Sequence, residues 1–119
     1  MRVINSSVLS GSMVSTLTGS AVFVQHIANL SVIATVSGGA GPTGTLKLQV
    51  SNDLGPLEDG GTGPAIVNWI DLPSATAAIA ANGNFRIAVT DIQDRWLRVV
   101  YTFSAGTGTM SARISAKGI

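Results

Sequence analysis

The feature that most constrains this chain is a two-residue rhythm of apolar side chains, cut at short intervals by glycine and proline. Leu46, Leu48 and Val50 alternate with Thr45, Lys47 and Gln49. Leu97, Val99, Tyr101 and Phe103 alternate with Trp96, Arg98, Val100 and Thr102. Met110, Ala112, Ile114 and Ala116 oppose Ser111, Arg113, Ser115 and Lys117, and Phe85, Ile87 and Val89 oppose Arg86, Ala88 and Thr90. Side chains that switch sides at every step belong to strands with one face buried, because only a pleated strand has a period of two. Runs 21–27 and 30–36 are rich in β-branched residues but apolar on both faces, so they read as central or covered strands. Asn29 between them marks a tight connection or a bulge.

The interruptions fit the same picture. Gly38 to Gly44 reads as a loop, because so dense a run of Gly and Pro disfavours a ladder. Residues 52–64 form a longer loop, and Ser104 to Gly108 reads as a hairpin loop between the last two strands. Ile66–Leu72 reads as a short strand ended by Pro73. The alanines of 75–81 favour helix, yet Asn82-Gly83 follows at once and is a strong hairpin signal. Residues 75–81 and 84–90 are therefore expected to be the arms of a hairpin. About eight short strands with regular turn signals predict an all-β fold, an antiparallel β-sandwich of jelly-roll-like form. Residues 19–119 are assigned to that domain. Residues 1–18, Ser/Thr-rich and without a clean period, are an N-terminal arm or a first strand.

Composition narrows the function. At 119 residues one domain is expected, and such a chain buries roughly 65% of its unfolded surface. With no cysteine, disulfides, thiol catalysis and thiolate metal sites are excluded, and a cytosolic origin is favoured. Seven basic against six acidic residues give a net charge of +1, which makes no electrostatic case for nucleic acid. Only 11% of residues are charged, well below the usual quarter. That leaves either a chain packed among neighbours in an assembly or simply a neutral Ser/Thr-rich β surface. No run reaches the length of a membrane span, and the opening residues lack the apolar core of a signal peptide.

Catalytic constellations are not evident. His26 is the single histidine and lies in a strand-like run, where a satisfied or edge side chain is the simplest reading. General-base work needs a partner, and metal sites need several ligands. Asp53 with Glu58 and Asp59 could offer oxygens to calcium, but the spacing of a calcium loop is absent and a solvated loop fits better. Asp91 to Arg95 reads as a polar turn. No catalytic, metal or cofactor-binding residue is assigned, no cofactor is expected, and the chain is read as a non-enzyme. Trp69, Trp96 and Arg98 are the candidates for protein or glycan contact, since aromatics beside polar groups make contact platforms. Core packing is the competing reading for both indoles.

Three segments carry a resemblance: Gly44-Thr45-Leu46-Lys47-Leu48-Gln49-Val50-Ser51-Asn52-Asp53, Asn68-Trp69-Ile70-Asp71-Leu72-Pro73, and Arg95-Trp96-Leu97-Arg98-Val99-Val100-Tyr101-Thr102 continued by Gly106-Thr107-Gly108-Thr109-Met110-Ser111. Their order resembles small β-sandwich structural proteins encoded among the virion genes of tailed phages and prophages. It is also similar to discoidin-type, galactose-binding-like jelly rolls, from which this chain departs in its shorter length, missing flanking cysteines and longer Leu54–Val67 insertion. No sugar-binding residue is carried over. The resemblance implies a virion subunit assembled in the host cytoplasm, of the capsid decoration or head/tail accessory type. Its implied partners are itself, by analogy as a trimer, and virion proteins such as the major capsid protein, with no nucleic acid or membrane. The alternative is a carbohydrate-binding module for host-surface attachment, using Trp69, Trp96 and the 52–64 loop.

Overall fold

The computed structural model describes residues 3–25, 27–55 and 65–118. Among them the fold is all-β, with seven strands and no helix: β1 (Val3–Ser12), β2 (Leu17–Thr18), β3 (Val22–Phe23), β4 (Ile27–Ser51), β5 (Ile70–Ile79), β6 (Gly83–Thr90) and β7 (Trp96–Gly118). Every pairing is antiparallel. The frame is the pair formed by β4 and β7, which run side by side from Ile27↔Gly118 to Ser51↔Trp96.

These two strands are too long to lie flat. The 25 residues of β4 would extend about 80 Å at ~3.3 Å per residue, twice the molecule's longest dimension of 40 Å. The β4–β7 ribbon therefore doubles over, at a waist around residues 38–44 and 104–108, into two facing layers. In layer I, residues 27–37 of β4 pair with β6 and with residues 109–118 of β7, and β1 flanks β7. In layer II, residues 44–51 of β4 pair with β5 and with residues 96–103 of β7, while β2 and β3 border β7 on its other side.

The waist corrects two expectations. Gly38–Gly44 and Ser104–Gly108 are not loops that end strands, because the ladder continues through both with register shifts between Ser37 and Gly44. Their glycines bend the ribbon. Gly38, Gly41 and Gly106 hold φ of 63°, 61° and 87°, and a Cβ on Gly106 would lie 2.1 Å from the Gly41 carbonyl oxygen. The same shifts keep the core continuous. The buried side of β7 falls on odd residues at Leu97, Val99 and Tyr101 and on even residues from Met110 to Ala116, which requires a residue out of step in between.

Three further expectations change. Residues 75–81 and 84–90 do not form a hairpin. β5 pairs with the second half of β4 and β6 with the first half, so Asn82-Gly83 crosses from one layer to the other. There the Asn82 Oδ1 accepts a bond from the Gly39 amide at 3.0 Å. The Ile66–Leu72 strand instead begins at Ile70 and runs through Pro73 to Ile79. Proline is tolerated because β5 is an edge strand with a bulge opposite Lys47 and Gln49, with Ser74 at φ 63°. Of the described residues in 21–27, Val22–Phe23 and Ile27 lie in strands, and Ile27 opens β4. The shift between Ile27 and Asn29 is the bulge. Residues 3–12 are a first strand, with Val8 and Leu9 in the core.

One core fills the space between the layers. Leu30, Val32, Ala34 and Val36 with Met110, Ala112 and Ile114 line one side, and Leu46, Leu48, Leu97, Val99 and Tyr101 line the other. The connection after β2 seals a flank. The Gly19 amide donates to the Val99 carbonyl at 2.8 Å and the Ser20 amide to the Val8 carbonyl at 3.2 Å, and a Cβ on Gly19 would meet both of those oxygens. Packing a glycine there lets the two layers approach.

Candidate functional site

The outer face of layer II gathers two of the three contact candidates. Trp69 precedes β5, and Arg98 projects from β7 on the side opposite the core. The Arg98 guanidinium carbon stands 4.4 Å from the Trp69 ring centre, a cation–π arrangement. The Arg98 Nε donates to the Gln49 Oε1 at 2.8 Å, and the Gln49 Nε2 donates to the Asp71 Oδ1 at 2.9 Å. Lys47 Nζ completes the row, 3.2 Å from that same oxygen. The bond from Gln49, then that from Lys47, lowers the Asp71 carboxyl below its ordinary value. Partial burial lowers Arg98 from its ordinary value, with no effect on its charge near neutrality. Sequence reading found Trp69 and Arg98 but not Lys47, Gln49 and Asp71. The first two were visible as the outward members of the 45–50 alternation.

Trp96 does not join this row. It is 6% exposed, packed edge-on against Phe23 of β3 with ring centres 5.1 Å apart, so it offers no contact surface. β3 exists to cover it: a strand of two residues brings Phe23 over the outward side of β7. Arg95 also lies over the covering ring, 5.5 Å from its centre, and bonds the Gln25 Oε1.

The end of the sandwich is a hydrogen-bonded cluster of connections. Asp53 Oδ2 accepts bonds from the Val67 and Asn68 amides, and its Oδ1 accepts one from the Asn68 side chain, all at 2.9 Å. These bonds, the side-chain one first, lower the Asp53 carboxyl below its ordinary value. Asn52 accepts a bond from the Arg95 amide and donates to the Asp94 carboxylate. Asp53 thus pins Val67 and Asn68 at the base of a loop. Glu58, Asp59 and His26 lie outside the described residues, as does most of the 52–64 loop. Among the described residues no group of three or more His, Cys, Asp or Glu side chains could hold a metal ion.

The outer face of layer I was not singled out from the sequence. The ladder sets Ser7, Arg113, Ile33 and Arg86 in one cross-strand row. Ile33 is 47% exposed at the side of a shallow groove of about 510 Å³ lined by Asn5, Thr35, Ser111, Arg113 and Ser115. The signal was present: in the run 30–36, Leu30, Val32, Ala34 and Val36 share one phase and Ile33 is the large aliphatic in the other. Round the adjoining end, where β6 turns towards β7, a crevice of about 150 Å³ opens between Val50, Leu72, Val89 and Ile92, rimmed by Asp91 and Asp94.

No protein-family model matches the chain, and no curated protein matches it. Among solved structures it is similar to the K1 cleaved adhesin domain of Lys-gingipain from Porphyromonas gingivalis, with a TM-score of 0.43 and 11% identity. The similarity covers 87% of this chain, which spans 63% of that adhesin domain.

Proposed function

We propose that this chain is a non-enzymatic structural subunit of a tailed-phage particle, a capsid decoration or head/tail accessory protein that acts through protein–protein contacts. The observation that carries the contact-based reading is the outer face of layer I. It holds a half-exposed isoleucine in a broad groove walled by serine, threonine, asparagine and Arg113. An exposed apolar spot rimmed by polar and basic side chains is a surface suited to lying against another protein. The tailed-phage setting rests on the order of segments across residues 44–118. The test is to separate heads and tails of the phage or prophage that encodes the chain and ask where it sediments. A fixed ratio to a head or tail protein supports the reading, and absence from purified particles overturns it.

Trp69 supports a second reading, carbohydrate attachment. A half-buried indole beside Arg98, Gln49, Asp71 and Lys47 offers an apolar ring flanked by donors and acceptors. On a glycan array, signal that Trp69→Ala removes while the melting temperature holds would favour it, and an array without signal would dispose of it.

A further inference from the structure

Charge in this molecule is near balance in total but uneven in placement. Layer I presents Arg86, Arg113 and Lys117, all exposed, and its strands carry no acidic residue. Arg86 and Arg113 flank Ile33 on neighbouring strands, which sets their backbones two strand spacings, about 10 Å, apart. The turn after β6 offers the counterpart. Asp91 and Asp94 rim the crevice of Val50, Leu72, Val89 and Ile92, and three residues of chain separate their backbones by at most ~11 Å. An aliphatic side chain between two basic residues, and an apolar crevice whose lining includes two acidic residues, are thus presented by one chain at two different places.

We infer that these two surfaces bind each other between copies of this chain. The acidic turn of one copy lies against the layer I groove of the next, with Arg86 and Arg113 meeting Asp91 and Asp94 and Ile33 set at the mouth of the crevice. The crevice has the volume of cavities known to admit small apolar groups. The contact pairs one surface with a different one, so returned reciprocally it closes a two-fold dimer, and repeated head-to-tail it closes a ring or continues as a filament. The inference rests on the reading of the chain as an assembly subunit and specifies how its copies meet.

Two measurements test it, both on the full chain in isolation. Light scattering behind a sizing column, at up to about 1 mM protein, is expected to show a dimer or larger species that dissociate as salt rises. Arg86→Glu with Arg113→Glu should return the chain to monomer. Asp91→Asn with Asp94→Asn, which keeps the turn geometry and the acceptor for Asn52, should weaken association about tenfold or more. The second measurement exploits the absence of cysteine. Mixed Arg86→Cys and Asp91→Cys chains should form a disulfide with each other, and neither should form one alone. A chain that stays monomeric, association indifferent to these substitutions, or Arg86→Cys chains that link to one another would each overturn the proposal. So would a monomer whose arginine face retains heparin, which would assign that face to a polyanion. If the chain joins particles yet never self-associates, the contact fails while the virion reading stands. If it self-associates but is absent from particles, the reverse holds.

Discussion

Tyr101 shows how much of the waist depends on single groups. Its ring is fully buried beneath the Gly44 backbone, where an added Cβ would lie 2.6 Å from the ring and 2.4 Å from the Thr102 carbonyl oxygen. Its hydroxyl donates to the Thr43 carbonyl at 3.1 Å, tying the buried ring to the bend of β4. Tyr101→Phe should therefore cost about 1 kcal/mol in urea unfolding. Gly106→Ala should cost more, ~1–3 kcal/mol from its backbone angle alone, before the contact with Gly41. Desolvation raises the Tyr101 hydroxyl above its ordinary value of 10.0. Its contribution is thus fully present below that value and is lost as pH rises through the higher folded one. Asp53 has the opposite sign. Its carboxyl is lowered from 3.8, so what it adds is present above that value and lost as pH falls. Protection of the Val67 and Asn68 amides from exchange, relative to their intrinsic rates, should fall in acid, and Asp53→Ala should lower it at neutral pH.

At the scale of elements, alternation located the strands and punctuation misled. Every alternating run cited from the sequence is strand, because burial on one side imposes its period whatever the topology. Gly38–Gly44 and Ser104–Gly108 look alike in composition to terminating loops, and only the pairing partner of each half reveals bends in a continuous ladder. Asn82-Gly83 misled for the same reason. A local dipeptide sets the turn, while the choice between pairing β5 with β6 and crossing the sandwich is made by the apolar faces of β4. Trp96 was legible as outward-facing but not as covered, since Phe23 lies more than seventy residues earlier in the chain. In a Trp69→Phe background, where Trp96 is the single tryptophan, Phe23→Ala should uncover it and shift its fluorescence to longer wavelength.

The whole molecule has one core spanned by two strands, so the layers should not melt apart. Ile114→Ala in layer I and Leu48→Ala in layer II should each cost ~2–5 kcal/mol. Both should shift a single unfolding transition seen alike by circular dichroism and by Trp96 emission. A sheet paired almost wholly between distant residues should also refold slowly, in milliseconds to seconds. The contact surfaces were the least legible level. Trp69 and Arg98 stood out by residue type. The row Arg86–Ile33–Arg113 joins three strands, and no linear pattern displays it. A last consequence follows from β4, whose first half is gripped by β6 and β7 and whose second half is gripped by β5 and β7. Cutting the backbone between Gly39 and Gly41 would yield two pieces that complement each other. The shorter would carry β1 and a vacant-slot insert, residues 27–37, and the longer would hold the slot open between β6 and the end of β7. The protein is thereby a ready-made split pair, in which one fragment lends the other its missing strand.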